Sequence, residues 1–171
     1  CILQYAIMKK NGEGTEVDNV EALKYFKIGV DNEDENAVFC YATMLLNGEG
    51  TEVNTEEGMK YLKVAVDKGS PFALLLYAQM LEVGKNGLQV NKEEAFNYYK
   101  KAADFGLVDA MKKCAFFLEN GEGVDVDKNE AIKFYKKAAD RGDNEAKTNF
   151  DRMISEGVEP PKEENTKCQI Q

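Results

Sequence analysis

The sequence predicts an all-α fold made by stacking about four two-helix repeats, followed by one C-terminal helix. Three observations predict it. Asn-Gly-Glu-Gly occurs at 11–14, 47–50 and 120–123, and a fourth copy, due near residue 84, is found as Gly84-Lys85-Asn86-Gly87. Other positions keep the same period of 36 or 37 residues: Ala37, Ala73, Ala110 and Ala146, then Tyr5, Tyr41, Tyr77, Cys114 and Phe150, then Ala6, Ala42, Ala78 and Ala115. Between the glycine-rich loops the apolar residues fall at helical spacing. Self-similarity at such a period is the signature of a repeat array, in which one unit cannot bury its own apolar face.

The units divide as 1–36, 37–72, 73–109 and 110–145, with a terminal helix over 146–157 and a flexible polar tail over 158–171. In the first unit the Asn11–Gly14 turn separates Tyr5-Ala6 from Tyr25-Phe26. The second unit begins with a helix over about Ala37–Leu46, where Ala37, Tyr41, Met44 and Leu45 share one face. Asn47–Gly50 ends it, because glycine takes the left-handed conformation without a Cβ penalty. Asn54 or Thr55 caps the next helix, and Glu56 and Glu57 suit its positive end. That helix runs to about Lys68 on an apolar stripe of Met59, Leu62, Ala65 and Val66. Gly69 closes it, and Pro71 can begin the following helix.

The third unit places its extra residue in the Gly84–Gly87 loop, where insertion is best tolerated, and carries Tyr98-Tyr99 on its second helix. The fourth carries Phe134-Tyr135. Asp125-Val126-Asp127-Lys128-Asn129 reads as an N-cap segment for the second helix rather than the start of a calcium loop, since Glu130 stands where that loop needs glycine. Ala42, Ala65, Ala102 and Ala138 let helices approach closely, with Tyr41 and Tyr61 filling the space between layers. Val158-Glu159-Pro160-Pro161 stops the last helix.

The composition removes several function classes. The chain has no histidine, which excludes Ser-His-Asp and Cys-His catalysis and any histidine metal ligand within it. Its 31 acidic and 22 basic residues give a net charge of −9, which repels nucleic-acid phosphates and anionic membranes. No apolar run approaches the roughly 20 residues of a membrane span. Cys1, Cys40, Cys114 and Cys168 are too widely spaced for a zinc site and too few for a disulfide scaffold, which points to a reducing, cytoplasmic location. Cys40 and Cys114 read as small buried hydrophobes. The Gly-Glu-Gly loops read as structural turns, because a phosphate loop follows a strand and would not carry a glutamate. No cofactor or metal is expected, and no enzymatic activity.

The fourth unit, with Ala110, Ala115, Leu118, Gly121, Gly123-Val124, Asp127, Ala131, Phe134-Tyr135, Lys137-Ala138-Ala139 and Gly142, resembles the Sel-one-like repeat, a relative of the tetratricopeptide repeat. The third unit matches the second half of that pattern through Asn91, Ala95, Tyr98-Tyr99, Lys101-Ala102-Ala103 and Gly106. The resemblance covers residues 1 to about 157. Departures are Gly29 for the usual alanine, Glu33 for the usual glycine, Gly58 for an alanine in the second helix, and alanine for the first-helix glycine throughout. The resemblance implies a right-handed α-solenoid that serves as a protein-assembly adaptor. It also implies that the first helix of each unit, called helix A below, lines the concave side.

On that basis the candidate partner-binding residues are Leu3, Ile7, Phe39, Thr43, Leu75, Gln79, Lys112 and Phe116. Five of these eight are large and apolar, which suits an extended peptide or a partner helix. Phe39, Leu75 and Phe116 are the expected anchors. The C-terminal Cys168-Gln169-Ile170-Gln171 resembles a prenylation box at Cys168, against a polar Gln169 and no polybasic segment upstream. The leading expectation is a non-enzymatic scaffold that holds a segment of another protein in its groove. The runner-up is the regulatory or targeting arm of a larger enzyme such as a kinase, since Cys1 opens a helix A with no capping repeat before it.

Overall fold

The computed structural model describes residues 2–161, and among them it contains helices and turns but no strand. The polar tail beyond Pro161, with Cys168, and the first residue, Cys1, lie outside the described residues. The helices pair as α1 (Ile2–Asn11) with α2 (Asn19–Asp31), α3 (Glu35–Asn47) with α4 (Thr55–Asp67), α5 (Pro71–Val83) with α6 (Lys92–Asp104), and α7 (Val108–Asn120) with α8 (Lys128–Ala139). The final helix, α9 (Asn144–Ser155), closes the array. Each helix packs chiefly on its neighbours in sequence, which is the contact pattern of a solenoid.

Capping chemistry sets the boundaries. Asp18, Asn54, Asn91 and Asp127 each accept a hydrogen bond from the backbone N–H of Glu21, Glu57, Glu94 and Glu130 respectively, three residues on. The cap of α4 is therefore Asn54 and not Thr55. Asn54 and Asn91 also donate to the carboxylates of Glu57 and Glu94, at 3.0 and 3.1 Å, closing a variant of the capping box. Two helices start earlier than their apolar pattern implies. Asp34 caps α3 by accepting from Asn36 and Ala37, and Asp143 caps α9 by accepting from Ala146 at 2.7 Å. The helices expected at Ala37 and Ala146 thus begin two residues upstream, on polar residues that carry no periodicity. At the other end of helix A, Gly48, Gly84 and Gly121 sit at φ +71°, and their N–H groups close the turn onto Met44, Met80 and Phe117.

The interior is layered by alanine. Ala22, Ala37, Ala42, Ala73, Ala78 and Ala95 have no exposed surface, and larger side chains such as Phe26, Leu62 and Tyr99 fill the space between them. Two departures from the repeat pattern find their cause here. A Cβ on Gly29 would lie 2.5 Å from the Cβ of Ala37, so α2 and α3 need the glycine to pack. A Cβ on Gly58 would lie 2.7 Å from Leu46 Cγ. Leu46 stands where the other units carry Lys10, Glu82 and Glu119, and the leucine fills the space that alanine uses in α2, α6 and α8. Glu33 is held at φ 60° where the sibling turns use Gly69, Gly106 and Gly142, a backbone conformation that costs a side chain about 1–2 kcal/mol.

The seams between units are not alike. Gly50 lies against the start of α2, where a Cβ would come 2.2 Å from the Asn19 carbonyl oxygen, and Gly123 lies equally close to Lys92. The corresponding Gly87 has open space around it. That loop is one residue longer than its siblings and holds Asn86 at φ 55°. A cleft of about 460 Å³ remains there, lined by Thr55, Met59, Lys60, Lys63 and Leu88 among others. Polar links cross the other seams: Lys10–Glu49 at 2.9 Å, Lys92–Glu122 at 2.6 Å and Arg152–Glu119 at 2.7 Å. Among the described residues no ion pair or side-chain hydrogen bond joins the α3–α4 pair to the α5–α6 pair. That seam is held by apolar packing, including the Phe39–Phe72 ring pair at 6.2 Å.

Two outcomes are expected. Gly58→Ala should lower stability to urea, although glycine-to-alanine inside a helix ordinarily gains about 0.5–1 kcal/mol, because overpacking costs about 1–3 kcal/mol. Adding Leu46→Ala should recover at least about 1 kcal/mol through coupling of the two sites, and strictly additive effects would refute the contact. Deleting Asn86 should seat the loop on α4 and slow amide exchange at 55–60 and 84–91. Faster exchange there would refute the account of the open seam.

Candidate functional site

The eight residues expected to bind a partner fall in two columns along successive A helices, and none of them is fully buried. Leu3 and Ile7 on α1 and Phe39 on α3 are half-buried, packed at their bases on the core. Leu75 on α5 is half-buried in the same way. Gln79 is exposed, and Phe116 on α7 keeps 42% of its surface. Thr43 is less available than its position implies, because its hydroxyl donates to the Cys40 carbonyl at 2.8 Å. Lys112 is engaged too: its Nζ lies 2.8 Å from Glu145, 3.1 Å from Asp143 and 3.7 Å from Asp109.

The structure brings three of the eight together. Gln79, Lys112 and Phe116 line a depression of about 380 Å³ between α5, α7 and α9, with Asp109, Lys113 and Glu145 around it. The expected anchors do not converge on one point. Phe39 pairs with Phe72 two helices away from Phe116, and the ladder is a row rather than a pocket. Sequence reasoning missed Phe72, Asp109 and Glu145, which stand three residues before Leu75, Lys112 and Thr148. The missed signal was a second column at i−3 on the same helical face, which lies beside the first.

The electrostatics of this face come from a device repeated in the last two seams. Tyr99 of α6 is fully buried, and its hydroxyl donates to Glu82 of α5, which also receives Lys113 of α7 at 2.8 Å. One unit on, the Tyr135 hydroxyl donates to Glu119 at 3.1 Å, and Arg152 of α9 binds the same carboxylate at 2.7 Å. A buried tyrosine needs a partner for its hydroxyl, and the glutamate supplies it while reaching the next unit. Burial pushes the pKa of Tyr99 and Tyr135 above the ordinary phenol value, and the neighbouring carboxylates push further in the same direction. Hydrogen bonds to Glu145 and Asp143 hold the Lys112 ammonium above its ordinary value. Lys112 is therefore firmly charged, and Lys112, Lys113 and Arg152 are each already paired.

Among the described residues the two thiols, Cys40 and Cys114, carry no activated chemistry. Cys114 is buried, and burial pushes its pKa up to about 12. Cys40 is only half-buried, against the expectation for it, and burial raises its pKa as well. A nucleophilic cysteine needs the opposite shift.

The Sel1 repeat profile matches residues 1–34, 37–70, 71–106 and 108–143. The chain belongs to the Sel1 repeat family. Sel1 repeats are generally non-enzymatic scaffolds for protein–protein interaction. Among solved structures, a Sel1 repeat protein from Oxalobacter formigenes is similar at 26% identity and a TM-score of 0.85, over 94% of this chain and 66% of that one. The protective antigen c5321 of uropathogenic Escherichia coli, which displays the same fold, is similar at 24% identity and a TM-score of 0.83, over 92% of this chain and 33% of that one. Helicobacter pylori cysteine-rich protein B is similar at 21% identity and a TM-score of 0.59, over 74% and 96%. This chain thus spans 66% of the Oxalobacter protein and a third of the E. coli antigen. Among curated proteins none matches this sequence. The all-α solenoid expected from the repeat is the fold found, and no described helix is long and apolar enough to cross a membrane.

With Cys1 and Cys168 replaced by serine, Cys40 should react with a maleimide at pH 8 before Cys114 does, and Cys114 only on unfolding. Native-state labelling of Cys114 at the rate of a free thiol would contradict its burial.

Proposed function

We propose that this Sel1 repeat chain is a non-enzymatic scaffold that binds an extended segment or a helix of another protein along its helix A face, inside a reducing, cytoplasmic compartment. One observation carries this reading. Leu3, Phe39 and Leu75 recur at one register on successive A helices, Ile7 and Phe116 stand at a second register one turn on, and all five keep part of their apolar surface uncovered by their own chain. A row of anchored, half-buried apolar side chains suits a ligand that runs across several units, as in helix-in-groove or extended-peptide recognition. Because the bases of these residues are packed, little side-chain freedom is lost when a partner covers them.

A second reading has its own support: the chain spans 66% and 33% of the two solved relatives above. The repeats then act as the regulatory or targeting arm of a larger protein, such as a kinase, and the face described here holds the segment that is regulated or recruited. Prenylation of Cys168 would add only weak membrane attachment, since one lipid chain anchors marginally.

Replacing both Phe39 and Phe116 with aspartate should abolish capture of the partner from cell extract while the helical circular dichroism stays unchanged. Each anchor should contribute about 2 kcal/mol or more, so a purified partner should bind the double variant at least about 100-fold more weakly. Undiminished binding would remove the helix A face from the mechanism.

A further inference from the structure

The helix A face has two chemically different halves. On α1, α3 and α5 its uncovered side chains are mainly apolar, with Phe39 and Phe72 in ring contact and Phe72 itself 57% exposed. On α7 and α9 it is ionic. Lys112 sits among Asp109, Asp143 and Glu145, and Arg152 lies 2.7 Å from both Glu119 and Glu156. Lys113 is held by Glu82. Counting Glu82, which reaches in from α5, six carboxylates surround these three cations, a formal excess of three negative charges. The Asp109 and Glu145 side chains are each 73% exposed.

We propose that the segment held on this face is apolar where it crosses α3 and α5 and carries lysine or arginine where it crosses α7 and α9. This rests on the groove reading above and adds the chemistry and the direction of the ligand. An acidic segment would have to displace carboxylates that already satisfy Lys112, Lys113 and Arg152. A basic one needs no displacement. Each carboxylate offers about four lone-pair sites, and those of Asp109 and Glu145 are largely turned to water. The depression between α5, α7 and α9, at about 380 Å³, is larger than any amino-acid side chain. Phe116 on its wall offers a ring face that attracts a guanidinium or ammonium group. Exposed ion pairs add little affinity, so the apolar half holds the segment while the ionic half sets its direction and speeds encounter.

The test begins with selection of displayed random peptides, about 15 residues long and so roughly 50 Å when extended, on the intact chain. A Phe39→Asp/Leu75→Asp variant with unchanged circular dichroism serves for subtraction. Enriched peptides should carry lysine or arginine to one side of an apolar cluster. The best of them, made synthetically, should bind Asp109→Lys/Glu145→Lys at least about tenfold more weakly, and its affinity for the unaltered chain should fall as salt is raised. Enrichment of acidic or uncharged peptides overturns the charge assignment and leaves the groove standing. So does affinity that is indifferent to salt, a readout that needs no variant to fold. No enrichment beyond the subtracted variant overturns the groove and the charge assignment together.

Discussion

No helix pair in this chain can bury its own apolar residues, and that constraint governs the rest. Helix A and helix B cover each other on one side only, so every unit depends on the next for the remaining burial. The interior alanines set how near the next unit can come. Between units Ala37 meets Gly29, within one unit Leu46 meets Gly58, and at neither contact does one added methyl group have room. Stability is thereby distributed along the chain as a series of seams, and each seam carries its own choice of side chains.

Those choices are coupled across the repeat. Where helix B carries a buried tyrosine, as at Tyr99 and Tyr135, helix A carries a glutamate at Glu82 and Glu119 that accepts the hydroxyl's hydrogen bond and engages a cation from the following unit. Where helix B carries Leu62 instead, helix A carries Leu46, and Gly58 makes room for it. A polar solution and an apolar solution thus occupy the same place in the repeat. The apolar one stands in the pair that meets α5–α6 without ion pairs. The open loop around Asn86 falls at this same seam, so the least tied joint of the array lies within its apolar half, between α3–α4 and α5–α6.

Much of this was legible in the sequence. The 36-residue register placed the turns, the start of α4 at Asn54 or Thr55, an N-cap within Asp125–Asn129, the buried alanines and the columns Leu3–Phe39–Leu75–Lys112 and Ile7–Thr43–Gln79–Phe116. The starts of α3 and α9 were not legible, because Asp34 and Asp143 extend the helices onto residues that face water and carry no periodicity. Nor was the fate of Lys112 and Thr43. A column of equivalent positions says which way a side chain points. It does not say what meets it there, and Glu145 reaches Lys112 from 33 residues away. The open loop was hidden for a similar reason. An inserted loop residue looks harmless locally, yet the loop that carries it leaves Gly87 in open space where Gly50 and Gly123 lie against the preceding unit.

The net charge of −9 takes on a particular meaning once it is mapped onto the fold. Uncovered aromatic side chains such as Phe72, Phe105 and Phe116 would favour self-association in a neutral molecule. Acidic residues crowd the turns, as at Glu13, Glu16 and Asp18, and again at Glu122, Asp125 and Asp127, so two copies approaching one another repel. The same field draws in a basic ligand. On the proposed groove reading, one charge distribution serves two ends: it keeps the apolar row from pairing with its own kind and biases it toward partners of opposite charge. Discrimination then needs no deep pocket, because the apolar row supplies contact area and the surrounding carboxylates reject segments of the wrong sign.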